Sequence, residues 1–240
     1  IIRYAISNNI KVICIDLTAR YQGKLADITP VNLSIPADVS SDLGKKLFEA
    51  ETGQYGGGTE KRILADFASK LRSNIAKSIE SFLSGDDEGN RLAIITLEEI
   101  SNTKATLFVT ELYLTSLLHY ARDHSPNCPR VLVVVEEAHT AMPEPSMIGL
   151  GDHDSRGLVS KIAQIALQGR KYGVGLLVIA QRTATVSKSV LTQCNTVISF
   201  NCYDDTSLNF LSNIFGSTHV LLIPNLPTLN AIVFGKALRS

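Results

Sequence analysis

Apolar positions follow two alternating rhythms along the chain. Short, nearly continuous apolar runs recur at KVICIDL (Lys11–Leu17), RLAIITL (Arg91–Leu97), VLVVV (Val131–Val135) and GLLVIA (Gly175–Ala180). A run of this kind is a strand covered on both faces, as in a parallel sheet. Between them lie stretches whose apolar residues recur every three or four positions, the rhythm of an amphipathic helix. These predict helices over Glu60 to about Leu83, Asn102–Arg122, Gly157–Lys171 and Asp204–Phe215. Two later β-rich runs, Thr196–Asn201 and Ala231–Gly235, complete the strands, and Ile1–Ser7 is the end of a helix closed by Asn8-Asn9.

Strands alternating with helices imply right-handed crossover units and a mainly parallel sheet with helices on both faces. The fold class expected is α/β. Residues 18–59 carry no clear rhythm, interrupted by Pro30, Pro36 and the Gly56-Gly57-Gly58 run. With the helix beyond them, residues 18–90 read as an irregular, partly helical insertion in a single domain spanning 1–240. No internal repeat is present.

Composition changes this picture little. Of 240 residues, 45% are hydrophobic and 19% charged, which suits a buried core rather than a disordered segment. Lys+Arg and Asp+Glu are equal at 23 each, so no basic coat for nucleic acid is evident. A few basic residues repeated around a ring can still line a charged pore. The apolar runs are far shorter than the ~20 residues of a membrane span, and no signal peptide opens the sequence. The expected setting is the cytoplasm. Cys14, Cys128, Cys194 and Cys202 form no CxxC pair and read as reduced core residues.

The chemistry concentrates in VLVVVEEAH (Val131–His139). A buried strand delivers two adjacent acids to the carboxyl edge of the sheet, where ligands of such sheets bind. Nucleotide hydrolysis needs one acid to hold magnesium, usually through water, and another to orient or deprotonate the attacking water. Glu136 takes the first role and Glu137 the second; the bland reading is an acidic helix start. In QGRKYGVGLLVIAQR (Gln168–Arg182) a second strand ends in the polar pair Gln181-Arg182. Gln181 suits a sensor of the γ-phosphate, with Arg182 beside it at the nucleotide. Arg170 precedes a glycine turn, where it either complements a helix end or reaches across a subunit interface. Asp16, ending the first strand, sits beside the nucleotide pocket or caps the following turn.

EEAH after an apolar strand, then GRKYG, then a strand and AQR, then VLTQCNTVISF (Val190–Phe200), together resemble the HerA branch of the HerA/FtsK ATPases. NAIVFGKALR (Asn230–Arg239) resembles that family's closing strand and turn. The resemblance is close over about Arg130–Arg239 and looser over 1–125. It implies a RecA-like P-loop NTPase core that binds ATP and Mg²⁺ at the interfaces of a homo-hexamer and drives double-stranded DNA. Glu136 and Glu137 become the Walker B acids, Arg170 a finger acting in trans, and Gln181 the polar sensor. Asp16 falls where the family opens an Asp-Pro-His-Gly-like stretch, read here as DLTAR. Such motors work beside a nuclease or another effector enzyme, in DNA end processing or antiphage defence. Two other classes share these residues: an ATP-binding ring scaffold that activates an effector, and a catalytically dead paralogue.

No GxxxxGK[ST] phosphate loop occurs, and GQYGGGTEK (Gly53–Lys61) lacks its Lys-Ser/Thr pair. By the resemblance, that loop belongs a few residues upstream of Ile1, and the closing strand is cut at Ser240. GDHDSRG (Gly151–Gly157) reads as an exposed loop rather than a metal site. Met142–Arg156 and Thr183–Ser189, with Lys188, are the candidate DNA-contacting loops. The polypeptide of residues 1–240 is expected to hydrolyse ATP no faster than its Glu137→Gln variant; a phosphate-release assay comparing the two checks this.

Overall fold

A computed structural model describes residues 1–25, 27–52, 58–85, 90–97, 103–144 and 153–236. The elements run α1 (Ile2–Ser7), β1 (Lys11–Asp16), α2 (Arg20–Lys24), β2 (Val31–Asn32), α3 (Ala37–Thr52), α4 (Gly58–Ser84), β3 (Leu92–Thr96), α5 (Thr103–Asp123) and β4 (Val131–Val135), followed by α6 (Ala138–Ala141), α7 (His153–Gln168), β5 (Val174–Val178), α8 (Lys188–Leu191), β6 (Thr196–Ser199), α9 (Asp205–Phe215), α10 (Ser217–Val220) and β7 (Ile232–Gly235). Five strands form one parallel sheet in the order β2-β3-β1-β4-β5.

Why the strands are apolar throughout follows from side-chain alternation. On β1, Ile13 and Ile15 face a large core shared with Ala93, Ile95, Val133 and Val135. Val12 and Cys14 face the opposite side with Leu92, Ile94 and Val134. Successive residues of a strand point to opposite faces, so a strand buried on both must be apolar at every position. The first face is covered by α3, α4, α5 and α7, the second by residues of α1 and the segment after β1, including Ala5, Tyr21 and Leu25.

Helix α5 lies deepest. Its buried residues run almost all round it, because α4 and α7 close over its outer side. The price of that burial is Glu111, whose side chain is 2% exposed. An uncompensated buried charge is costly, and Glu111 is matched: Nη2 of Arg72 donates at 3.0 Å, Nη1 of Arg72 donates to Thr115 at 2.9 Å, and Lys161 Nζ lies 3.9 Å away. Lys11, at the start of β1, closes α4 by donating to the Gly85 carbonyl at 2.7 Å, where the helix end presents free carbonyls.

Three expectations are corrected. Residues 37–52, read as irregular, form α3; Val39, Leu43 and Leu47 recur every fourth position and pack into the main core, and Pro36 precedes the first turn. The helix expected at Gly157–Lys171 begins at His153 and gives way to a 3-10 turn over Gly169–Tyr172, so 153–156 are helix rather than loop. Gly173 ends that turn at φ 76°, a left-handed conformation natural to glycine. The last two strands do not join the parallel sheet: β6 and β7 pair antiparallel, and α9 packs on them through Val197, Leu211, Phe215 and Ile232. Short apolar runs give a strand but not its neighbour.

Residues 53–57 of the glycine-rich GQYGGGTEK segment, whose last four residues open α4, lie outside the described residues, as do 145–152 of the Met142–Arg156 loop and the end of the closing segment at 237–240. Cys14 is fully buried and the other three cysteines half-buried, all as free thiols. Among the described residues no helix is long and apolar enough to cross a membrane.

Leu43 is fully buried in the core beneath α3. Leu43→Ala is expected to cost about 2–5 kcal/mol of stability, read from urea or guanidinium unfolding; no loss would mean that α3 packs only loosely on the sheet.

Candidate active site

Parallel register brings the carboxyl ends of β1, β4 and β5 to one edge: Ile15 sits beside Val135, and Val135 beside Val178. Asp16, Glu136, Glu137 and Gln181 all follow from these three ends. Four of the predicted residues thus meet at one place.

Asp16 is fully buried. Its Oδ1 accepts from the Thr18 amide at 3.0 Å and lies 3.2 Å from the Thr18 hydroxyl, while Oδ2 accepts from the Tyr21 amide at 2.8 Å. Such a side chain closes a turn on its own backbone and starts the next helix. The capping role is therefore present, and it leaves Asp16 beside the second acid. The Thr18 hydroxyl lies 3.0 Å from Glu136 Oε2. With a single proton, that hydroxyl serves Asp16 or Glu136 at any moment.

The two adjacent glutamates part company through backbone geometry. Glu136 continues the ladder, its amide donating to the Ile15 carbonyl at 3.2 Å. Glu137 turns into the left-handed region at φ 48°, ψ 47°, and the Ala138 amide then donates to the Ile179 carbonyl at 2.9 Å. A glutamate in that conformation stores roughly 1–3 kcal/mol. The chain passes from strand to helix within two residues, and the acids reach opposite neighbours: Glu136 the β1 side, Glu137 the β5 side. Gln181 Nε2 donates to Glu137 Oε1 at 2.7 Å. On the other side, Nδ1 of His139 lies 3.3 Å from Glu137 Oε2. That contact lacks hydrogen-bond alignment, and both atoms are buried without a protein partner. Glu137, His139 and Gln181 line one cleft with Leu17, Thr18 and Thr106, of about 420 Å³.

Electrostatics set this edge apart. Burial pushes Glu136 above the ordinary carboxylate range; Asp16 and Glu137 add to the shift and the Thr18 hydroxyl opposes it. Burial likewise pushes Cys14 and Tyr21 up to about 12 each, with repulsion from Asp16 and Glu136 adding to both. The edge is a desolvated, negative place. It also holds Thr96 Oγ1, Glu137 Oε2, His139 Nδ1 and Thr183 Oγ1, four of the six buried side-chain polar atoms without a partner among the described residues. Buried polar atoms ordinarily find partners, so this clustering suits a polar, cation-bearing ligand. Among the described residues no three His, Cys, Asp or Glu side chains converge as direct ligands of one ion. The oxygens present fit magnesium, which keeps most of its waters and leans on one or two carboxylates.

Arg170 is not brought to these acids. It is exposed in the 3-10 turn that precedes β5, at the opposite edge of the sheet. The intervening strand spans about 17 Å. Gly169 beside it has no room for a side chain: a Cβ would lie 2.9 Å from the Val174 carbonyl. Arg182 is exposed and leads into a 3-10 turn, Thr183–Thr185. The two candidate DNA loops are joined: the Ser187 amide donates to Met142 and the Glu144 amide to Thr185, each at 2.8 Å. Residues 145–152 of the first loop lie outside the described set. Sequence reasoning assigned no role to Thr18 or His139. His139 stood inside the acidic motif two places after Glu137; Thr18 gave no signal, since only folding sets it against Glu136.

No protein-family model matches the chain. A probable helicase of Methanocaldococcus jannaschii is 27% identical over 163 residues, covering 64% of this chain and 30% of that protein. The DNA double-strand break repair helicase HerA of Pyrococcus furiosus is 38% identical over 68 residues, 28% of this chain and 11% of that one. The chain thus spans less than a third of the length of either relative. In structure it is similar to the genome packaging NTPase of Sulfolobus turreted icosahedral virus 2 in complex with ATP-gammaS, with a TM-score of 0.55 at 10% identity over 98% of this chain and 81% of that one. VirB4 of Thermoanaerobacter pseudethanolicus gives 0.54 at 11% identity, over 95% and 82%. The chain shares its fold with these two solved structures, and the sequence relatives carry the HerA and helicase names that the motif resemblance anticipated.

Because the folded site holds the Glu136 carboxyl above its unfolded value of about 4.3, its ionisation opposes folding, and that penalty grows as pH rises through the shifted value. Glu136→Gln is therefore expected to raise Tm at pH 7–8, and the gain is expected to vanish at about pH 3, well below the unfolded value, where both states hold the proton. Thermal unfolding across that range is the check.

Proposed function

We propose that this chain is the catalytic core of an ATP-driven DNA motor, in which Glu137 activates the water that cleaves the terminal phosphate. The observation that carries the reading is the divergence of Glu136 and Glu137 at the carboxyl edge, one towards Asp16 and Thr18, the other towards Gln181. Two adjacent acids with separate surroundings can serve separate tasks.

In this reading the nucleotide's phosphates lie along that edge. Glu136, with Asp16 and Thr18 behind it, would hold Mg²⁺ there, and the ion would offset phosphate charge. Glu137 accepts a proton from water as the water oxygen bonds to the γ-phosphorus. The bond from that phosphorus to the β,γ-bridging oxygen breaks, and its electron pair leaves on ADP. Gln181, now bonded to the base, exchanges towards the γ-phosphate and so reports its presence. Arg182 stands beside it at the nucleotide.

Arg170 is exposed and a strand's length from its own acids, and in this reading it serves a neighbouring protomer. That geometry supports a ring, proposed as a homo-hexamer, with ATP at each interface. An arginine acting in this way is worth about 10³–10⁵ in rate. The proposed substrate is double-stranded DNA, gripped through phosphates by the joined segments after β4 and β5. A nuclease or another effector is the proposed partner, as the motif resemblance implies.

Mixing single variants of the full-length protein tests both halves. Glu137→Gln and Arg170→Ala are each expected to bind ATP and to lose at least about 10²-fold in DNA-stimulated hydrolysis. Equimolar mixing is expected to restore part of the activity, since some interfaces then pair an intact base with an intact arginine. If mixing restores nothing while each variant still assembles, the trans role of Arg170 is wrong.

A further inference from the structure

We infer that His139 is a positioning residue for Glu137, acting through its Nδ1–H. The inference rests on the reading of Glu137 as the base. Glu137 needs holding: a glutamate side chain is rich in rotamers, and a catalytic group must stay within about 0.5 Å of its productive place. Its Oε1 is held by Gln181 at 2.7 Å. Oε2 has His139 Nδ1 at 3.3 Å, and neither atom has another protein partner.

Several features make this pairing more than proximity. Both side chains are mostly buried, at 20% and 33% exposure for Glu137 and His139, and both line the same cleft. His139 sits on α6, a four-residue helix whose N-cap is Glu137 itself. The imidazole and the carboxylate therefore ride on one turn, fixed by the Ala138 and Met142 amides that bond to Ile179 and Ala138. The neutral Nδ1–H tautomer supplies the donor, so no change of charge is required. A small side-chain rotation converts 3.3 Å into a bond of about 2.9 Å. Oε2 keeps a second lone pair for the proton of the attacking water. Gln181 and His139 then form a two-sided clamp, in which release of Gln181 to the phosphate leaves His139 as the remaining hold on the base.

The position of the donor separates positioning from mere filling of space. An asparagine amide nitrogen takes the place of Nδ1, and a glutamine amide nitrogen the place of Nε2. Steady-state hydrolysis of Mg²⁺-ATP by the full-length protein is compared for His139→Asn, His139→Gln and His139→Ala, with ATP binding measured on each to confirm folding. His139→Asn is expected to stay within about threefold of the parent, while the glutamine and alanine variants lose about 10²-fold in kcat with little change in KM. Equal rates for the asparagine and glutamine variants would overturn the inference, as would an unimpaired alanine variant or an effect confined to KM. Should His139→Ala fail to fold, the asparagine and glutamine pair still decides. A parent no faster than Glu137→Gln would instead remove the base assignment, and this inference with it.

Discussion

Three carboxylates gathered at one desolvated sheet edge are the constraint around which this structure is arranged. Asp16, Glu136 and Glu137 follow the ends of two neighbouring parallel strands. Charge in such a place is costly unless it is shared with donors or a cation. Each acid has its own answer. Asp16 is bound by the amides of the turn after it, Glu136 by the Thr18 hydroxyl, and Glu137 by the Gln181 amide. The residual crowding appears as the raised Glu136, Tyr21 and Cys14. A magnesium-bound triphosphate is the kind of ligand that relieves such an edge, because it brings the cation and the polar atoms together.

The scaffold holds that edge still by burying the sheet on both faces. One face lies under α3, α4, α5 and α7; the other is covered more thinly. Among the described residues the one buried acid within the thick layer, Glu111, is matched by Arg72 and approached by Lys161, which ties α5 to α4 and α7. Rigid strand ends are what permit a left-handed turn at Glu137 to persist: the bonds of Glu136 to Ile15 and of Ala138 to Ile179 over-determine it. Stability elsewhere thus sustains strain where two identical side chains must be sent to different neighbours.

The site is lopsided within one chain. The acids, Gln181 and His139 share an edge, while Arg170 stands at the far end of β5. The proposed ring, in which each protomer offers its arginine end to the acidic end of the next, would use both ends of one sheet.

Much of this was legible without coordinates. The apolar runs identified β1, β3, β4 and β5, because a strand buried on both faces has no choice but to be apolar. The position of the acids after one run and of Gln181 after another placed them at a single edge, since parallel strands end together. The resemblance over EEAH, GRKYG and AQR supplied the chemistry. What sequence could not settle is partnership. The helix α3 was hidden by proline and glycine neighbours that punctuate rather than prevent it. The pairing of β6 with β7, outside the main sheet, depends on which edges meet. Thr18 reaches Glu136 across 118 positions of chain. The local motif named two glutamates; only the folded backbone, by turning left-handed at the second, gave them different neighbours. Local rhythm is set by which faces are buried, whereas contacts between distant side chains are set by register and turn geometry, and these exist only once the sheet has closed.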